Sequence, residues 1–179
     1  MMKWSQQLRV PGTKPVLTAL GLLTCIGTQA LPQAAKPVAL GRLAITGSVE
    51  RALNLQISDL EKMPHISLEA KDHDGRLTTY EGVPLAELLK AAGAPIGENL
   101  RGANMASYVL VEAKDGYRVV FALPELDPAF TDSKVIVAYA ANGRPLPDGQ
   151  GPFRIVAPQE KRPARWIRML QQIEVVKIQ

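Results

Sequence analysis

Four cations and one large aromatic residue fall within eight positions near the C-terminal end of the chain: Lys161, Arg162, Arg165, Trp166 and Arg168. Apolar runs that predict strands flank this group at residues 153–156 and 173–178. Arginine forks can bind phosphate or the polar edge of a heterocycle, and tryptophan can stack on a ring face. The residue types therefore suit a planar ligand that is anionic or polar.

A second interpretation of the same cluster needs no ligand. Trp166 and Ile167 would pack into the core, while Arg162, Arg165 and Arg168 would lie three residues apart on one solvated helical face. The flanking strands and Pro158 favour the first interpretation, because they hold the cations on a short segment near strand ends.

A second group could provide metal ligands: His65, Asp72, His73 and Asp74. No HxxxH or HExxH spacing is present, and both histidines flank a predicted hairpin where polar residues are expected anyway. The spacing argues against a metal held by these side chains alone. The sequence also contains no GxSxG elbow, no phosphate-binding loop and no carboxylate pair typical of glycosidases.

The first 30 residues have the pattern of a secretory signal peptide. Three cations stand within the first 14 residues, residues 16–30 carry no charge, and small and polar residues end the run at Thr28-Gln29-Ala30. This apolar run of about 15 residues is shorter than the roughly 20 that a spanning helix needs. We predict cleavage after Ala30, with Ala35 as the alternative, and a periplasmic location.

Cys25 is the only cysteine and lies inside this segment. The preceding Leu22-Leu23-Thr24 matches a lipoprotein motif poorly, so we do not expect a lipid anchor there. Cleavage after Ala30 would leave no thiol. It would also remove three of the 21 Lys and Arg and no acid, which leaves 18 cations against 17 Asp and Glu. Such a balance argues against nucleic-acid binding, which needs a broad excess of cations.

The remaining chain reads as a leader at residues 31–41 and one α+β domain at residues 42–179. Besides the two flanking runs, alternating or β-branched runs predict strands at residues 43–48, 53–57, 66–70, 77–80, 108–112, 117–123 and 135–140. The clearest helix places Leu85, Leu88, Leu89 and Ala92 on one face before Gly93. Shorter helical turns are predicted at residues 60–63 and 124–126, and Asp115-Gly116 predicts a hairpin.

Three segments together resemble the molybdopterin-binding domain of the sulfite oxidase family: TYEGVPLAELLKAAG at 79–93, SKVIVAYAANGRPLPDGQGPFRIVAP at 133–158 and ARWIRMLQQIEV at 164–175. The resemblance implies an α+β fold with a mixed, curved sheet and few short helices. It also implies that Arg165 and Trp166 lie against the pterin, together with the loop that contains Lys161 and Arg162. We further expect Asp72 to accept hydrogen bonds from the aminopyrimidine edge.

The chain departs from this family at the metal. The cysteine that holds molybdenum there should fall near Glu69-Ala70, where this sequence has none. Arg9 stands alone, without the twin-arginine signal that exports a folded, cofactor-loaded enzyme. We therefore expect a metal-free periplasmic protein that binds a reduced pterin and relays its state to an inner-membrane sensor, for example a cyclic-di-GMP enzyme. The alternatives are a molybdopterin-dependent oxidoreductase and an interaction module with an empty pocket.

Overall fold

Two five-stranded β-sheets organise the computed structural model, which describes residues 41–72 and 74–178. The first sheet has the order β2-β1-β10-β5-β6, with strands β1 (Leu43–Gly47), β2 (Leu53–Leu55), β5 (Tyr108–Ala113), β6 (Arg118–Ala122) and β10 (Leu170–Val176). β1 and β10 are parallel and the other neighbours are antiparallel, so this sheet is mixed. The last strand, β10, thus lies between β1 and β5.

The second sheet is antiparallel and has the order β3-β4-β7-β8, with β9 also paired to β7. Its strands are β3 (Ile66–Lys71), β4 (Leu77–Pro84), β7 (Ile136–Ala141), β8 (Arg144–Pro145) and β9 (Arg154–Val156). β7 contacts three strands and its first five residues are buried, which confirms the prediction of a central strand from its continuous apolar run.

The predicted main helix is confirmed as α2 (Leu85–Ala92), which buries five of its eight residues. Gly93 ends it at φ 76°, a left-handed conformation that glycine adopts without steric cost. Apolar side chains of α2 and of both sheets form one core cluster. No helix among the described residues is long and apolar enough to cross a membrane.

One predicted helical turn is misplaced. The sequence predicts it at residues 60–63, whereas α1 spans Ile57–Leu60. The Asp59 carboxylate accepts a hydrogen bond from the backbone N–H of Gln56 at 2.8 Å, so the capping residue lies inside the helix rather than before it. The helix consequently begins three residues earlier than the sequence predicts.

The other predicted elements are present, some with shifted ends: the strand expected from residue 173 begins at Leu170, and the one expected to reach residue 57 ends at Leu55. β5 and β6 form the hairpin expected at Asp115-Gly116, and Asn142 and Gly143 both have positive φ in the turn between β7 and β8. Four 3₁₀ turns complete the elements of the described residues: Gly97–Asn99, Gly102–Ala106, Leu123–Glu125 and Pro163–Arg165. The α+β class is confirmed. Residues 1–40, including the predicted signal peptide, Cys25 and most of the leader, lie outside the described residues.

Candidate ligand-binding site

A cleft of about 800 Å³ opens at one end of the second sheet. The β3–β4 turn, the β7–β8 turn and the loop before β9 form its walls. Its polar lining combines two acids, three cations and four neutral groups: Asp72, Asp74, Arg76, Arg144, Arg168, Thr78, Tyr80, Asn142 and Gln150. A cleft of this size with polar groups of both signs suits a small, polar organic molecule.

Arg154 does not line this cleft but binds three of the residues that do: Asp72, Tyr80 and Gln150. Only 1% of its side chain is exposed, and its Nη1 donates to Asp72 Oδ2 at 3.1 Å and to the Tyr80 hydroxyl at 3.0 Å. The same nitrogen donates to the side-chain oxygen of Gln150, and Nη2 lies 3.4 Å from Asp72 Oδ1. A buried guanidinium needs such partners, because an unpaired buried charge is strongly destabilising. Arg154 therefore holds Asp72 in place at the cleft wall.

Tyr80 completes this buried network. Its hydroxyl donates to Asp72 Oδ2 at 2.9 Å. Burial raises the pKa of Tyr80 to about 12; the Arg154 charge opposes this shift, and the hydrogen bond to Asp72 supports it. The phenol therefore remains protonated at neutral pH, so it keeps its donated hydrogen bond to the carboxylate.

Trp166 lies behind this network rather than in the cleft wall. Its side chain is buried, its indole N–H donates to the Ala157 carbonyl at 3.0 Å, and its ring meets Tyr80 edge-on at 6.4 Å. The Arg154 Cζ atom lies 5.9 Å from the indole ring. Ile167 is buried as well. For these two residues the structure follows the core-packing interpretation.

The four cations around Trp166 do not share one helical face. In the segment between β9 and β10, all of which the structure describes, the only helical element is the 3₁₀ turn Pro163–Arg165. The spacing of three residues therefore does not place the arginines side by side. Arg168 lines the cleft, whereas Lys161 and Arg162 are exposed and do not line it.

Arg165 makes contacts of its own at the edge of the first sheet. Its guanidinium donates to the Val120 carbonyl at 3.0 Å, holds the Glu125 carboxylate at 3.0 and 3.2 Å, and lies 2.6 Å from Glu160. Its Cζ atom lies 4.3 Å from the Phe121 ring. Burial acts to lower the pKa of Arg165, but the two carboxylates outweigh burial and raise it.

Of the five site residues predicted from sequence, only Asp72 lines the cleft. Ligand contacts by Lys161, Arg162, Arg165 and Trp166 stay predictions. Sequence reasoning did not select Arg154, although one signal was available: an arginine stands between Phe153 and Ile155 in an apolar run. A buried arginine is rare unless it is paired.

A separate polar cluster lies at the opposite end of β3. His65 Nε2 is 3.6 Å from Glu81, and the Tyr139 hydroxyl donates to the same carboxylate at 3.1 Å. Burial and the hydrogen bond to Glu81 raise the pKa of Tyr139 to about 12. Six residues of extended strand, about 20 Å, separate His65 from Asp72. These two candidate metal ligands therefore cannot bind the same ion, and His73 lies outside the described residues.

The expected position of the molybdenum-binding thiolate can be located on β3. Ala70 is buried and pairs with Thr78, which lines the cleft, while Glu69 is exposed on the other face of the strand. A methyl group cannot replace a soft thiolate ligand. Among the described residues, no group of three or more His, Cys, Asp or Glu is arranged to hold a metal. The described residues at this position therefore do not provide the thiolate ligand that molybdenum would need here.

Comparisons with known proteins agree with this fold. The family model of the oxidoreductase molybdopterin binding domain matches residues 32–179. The solved structure of the sulfane dehydrogenase SoxCD from Paracoccus pantotrophus is similar with a TM-score of 0.59 and 21% identity, over 75% of this chain. This chain spans only 37% of the length of that one. A comparison with curated protein sequences finds no match. The sulfite oxidase-like fold is therefore confirmed, and the chain belongs to the oxidoreductase molybdopterin-binding domain family.

Proposed function

We propose that this protein binds a reduced pterin in the cleft lined by Asp72, without a metal and without catalysis. The observation that carries the proposal is the composition of the cleft next to Ala70: acids, arginines and amides remain where a pterin would lie, but no thiolate stands at the metal position. Without that soft ligand, the described residues at this position offer molybdenum no protein thiolate.

Each edge of a pterin would find a partner in this cleft. The amino group and the neighbouring ring N–H are donors, and the Asp72 carboxylate, fixed by Arg154 and Tyr80, is an acceptor held in one orientation. The ring carbonyl is an acceptor, and Arg168 and Arg144 supply donors on the lining of the same cleft. An acceptor and donors that line one cleft would favour a heterocycle with mixed edges over a simple anion.

We further propose that the protein acts in the periplasm and relays ligand binding to a membrane-bound signalling partner. The support is the signal-like pattern of residues 1–30, together with the lone Arg9, which favours export of an unfolded chain. A ligand would then be acquired after export. A sensor enzyme in the inner membrane, such as one that makes or degrades cyclic-di-GMP, is the partner we propose.

The first experiment is an extraction. Protein purified from periplasm would be analysed for molybdenum and, after oxidation of the extract, for fluorescent pterins. We expect pterin without stoichiometric molybdenum. Stoichiometric molybdenum in protein from its native compartment would instead support the second candidate function, a molybdopterin-dependent oxidoreductase, which membership in the family favours.

The second experiment measures affinity directly with tetrahydrobiopterin under anaerobic conditions. Asp72→Asn should weaken binding by about tenfold or more, since one hydrogen bond to a charged group contributes roughly 1.5–3 kcal/mol. Glu112→Gln is the matched control, because Glu112 pairs with Arg118 on the first sheet, away from the cleft lining. No binding by the wild-type protein, or equal affinity in Asp72→Asn, would refute the proposal.

A further inference from the structure

A second cavity, of about 600 Å³, is lined by the same loop that walls the cleft. Pro145 and Pro147 contribute to both spaces, whereas none of the acids or cations of the cleft lines the second one. The second cavity is largely apolar, with walls formed by Ile57, Leu146, Pro152, Met169 and Leu170. We call it the apolar cavity.

Two cations reach the apolar cavity from different strands. Arg42 directly precedes β1 and Lys114 directly follows β5, and these strands are the two neighbours of β10. The Lys114 backbone N–H donates to the Met169 carbonyl at 2.9 Å, which places it beside the residue that directly precedes β10. The sheet order thus brings both cations to the start of one strand.

These cations have little to neutralise them within the described residues. Lys114 makes no ion pair there, and the guanidinium of Arg42 only approaches the Asn54 carbonyl at 3.5 Å. Asp148 is the one carboxylate that lines the apolar cavity among residues 41–72 and 74–178. The local balance of two cations and one acid favours an anionic group at this end.

The backbone beneath the apolar cavity is irregular. Met169 has φ 49°, a left-handed conformation that residues other than glycine seldom adopt, and the β10–β5 register shifts between Leu170 and Gln172. Such local strain is concentrated at binding sites, where the surrounding structure maintains it. The flexible thioether of Met169 also adapts readily to an apolar partner.

We propose that the apolar cavity binds a small amphipathic anion, that is, an apolar body carrying one carboxylate, sulfonate or phosphate group. The anionic group faces Arg42 and Lys114, and the body packs on Leu146, Pro152 and Met169. A ligand of this kind matches an apolar enclosure with cations at one end, whereas the cleft offers mixed polar edges. This assignment is independent of the proposed pterin site.

Binding of the dye anilinonaphthalene sulfonate to the folded protein tests this proposal. We expect one saturable site per chain, displaced by decanoate but not by decanol, which has the same apolar body without the charge. The double variant Arg42→Gln/Lys114→Gln should weaken dye binding by roughly tenfold or more, because charge-assisted contacts are lost. Met169→Gln should weaken it through the apolar wall, with folding of each variant checked by circular dichroism.

Two controls separate this site from others. Lys134→Gln removes an exposed cation that lines neither cavity and should leave dye affinity unchanged. Asp72→Asn alters the cleft and should also leave it unchanged. Equal displacement by decanol, wild-type affinity in the double variant, or loss of the dye in Asp72→Asn would each overturn the proposal.

Discussion

Arg154 and Arg165 both hold carboxylates and both stand close to Trp166, but their surroundings differ. Arg154 is 1% exposed and joins Asp72, Tyr80 and Gln150 under a cleft, whereas the Arg165 side chain is 34% exposed and joins Glu125 and Glu160 beside a sheet edge. Residue type and proximity to tryptophan are the same in the two clusters. The two clusters differ in the space beside them: Asp72, Tyr80 and Gln150 of the Arg154 network line the cleft, whereas Arg165, Glu125 and Glu160 line neither the cleft nor the apolar cavity.

The largest expected difference between the two arginines is in stability. Arg154→Gln should lower the free energy of unfolding by about 3–5 kcal/mol, because the Asp72 carboxylate, 11% exposed, loses its cation. Arg165→Gln should cost only about 1 kcal/mol, since partly exposed ion pairs contribute little. Guanidinium unfolding of both variants measures the two values. Similar losses would show that the clusters are not energetically distinct.

Alkaline pH provides a second way to separate the networks. The folded-state pKa of Tyr80, about 12, lies above the ordinary value of 10. The stabilisation linked to its proton is therefore complete below pH 10 and is lost as pH rises from 10 to 12, by at most about 2 kcal/mol. Tyr80→Phe has no such proton, so its unfolding free energy should fall less steeply over this interval.

The measurement is denaturant unfolding at pH 9, 10 and 11. Tyr139 also has a pKa of about 12, so some decline should persist in Tyr80→Phe and should diminish further in Tyr80→Phe/Tyr139→Phe. Parallel curves for wild type and Tyr80→Phe would mean that the buried network does not control the phenol. Arg165→Gln should leave the slope unchanged.

The smallest expected effect is a change in ligand affinity. It tests which arginine, Arg168 or Arg165, contacts the ligand. Arg168 lines the cleft, while Arg165 is the residue that the family resemblance selects. We expect Arg168→Gln to weaken tetrahydrobiopterin binding about three- to tenfold, and Arg165→Gln to change it less than twofold, because its guanidinium is held by two carboxylates. The opposite order would restore Arg165 as the pterin contact.

The sequence predicts local structure here better than it predicts the site. The α2 helix with Gly93 and the Asp115-Gly116 hairpin depend on residues close in sequence, where periodicity and turn chemistry act directly. The bond between Arg154 and Asp72 joins residues 82 positions apart and depends on how β9 and the end of β3 meet across the second sheet. No pattern of neighbouring residues in the sequence predicts this contact between Arg154 and Asp72.

The cations around Trp166 are a second case in which the sequence does not predict which side chains lie together. Spacing of three residues would place the arginines together on an α-helix, but Pro163 and Trp166 bound a single 3₁₀ turn, and the chain then enters β10. The side chains of Arg165 and Arg168 consequently lie in different surroundings. The sequence identifies a basic region, but the tertiary structure is needed to tell which of its side chains lines the cleft.

The contacts of Arg165 also bear on aggregation. β6 is an outer strand of the first sheet, and an outer strand exposes backbone groups that can pair with another chain. Arg165 occupies the Val120 carbonyl, and the Tyr117 hydroxyl donates to the Ala164 carbonyl at 2.9 Å, so the segment before β10 is fastened along this edge. An arginine first noticed as a candidate ligand contact thus occupies one of the β6 backbone groups that an added strand would need.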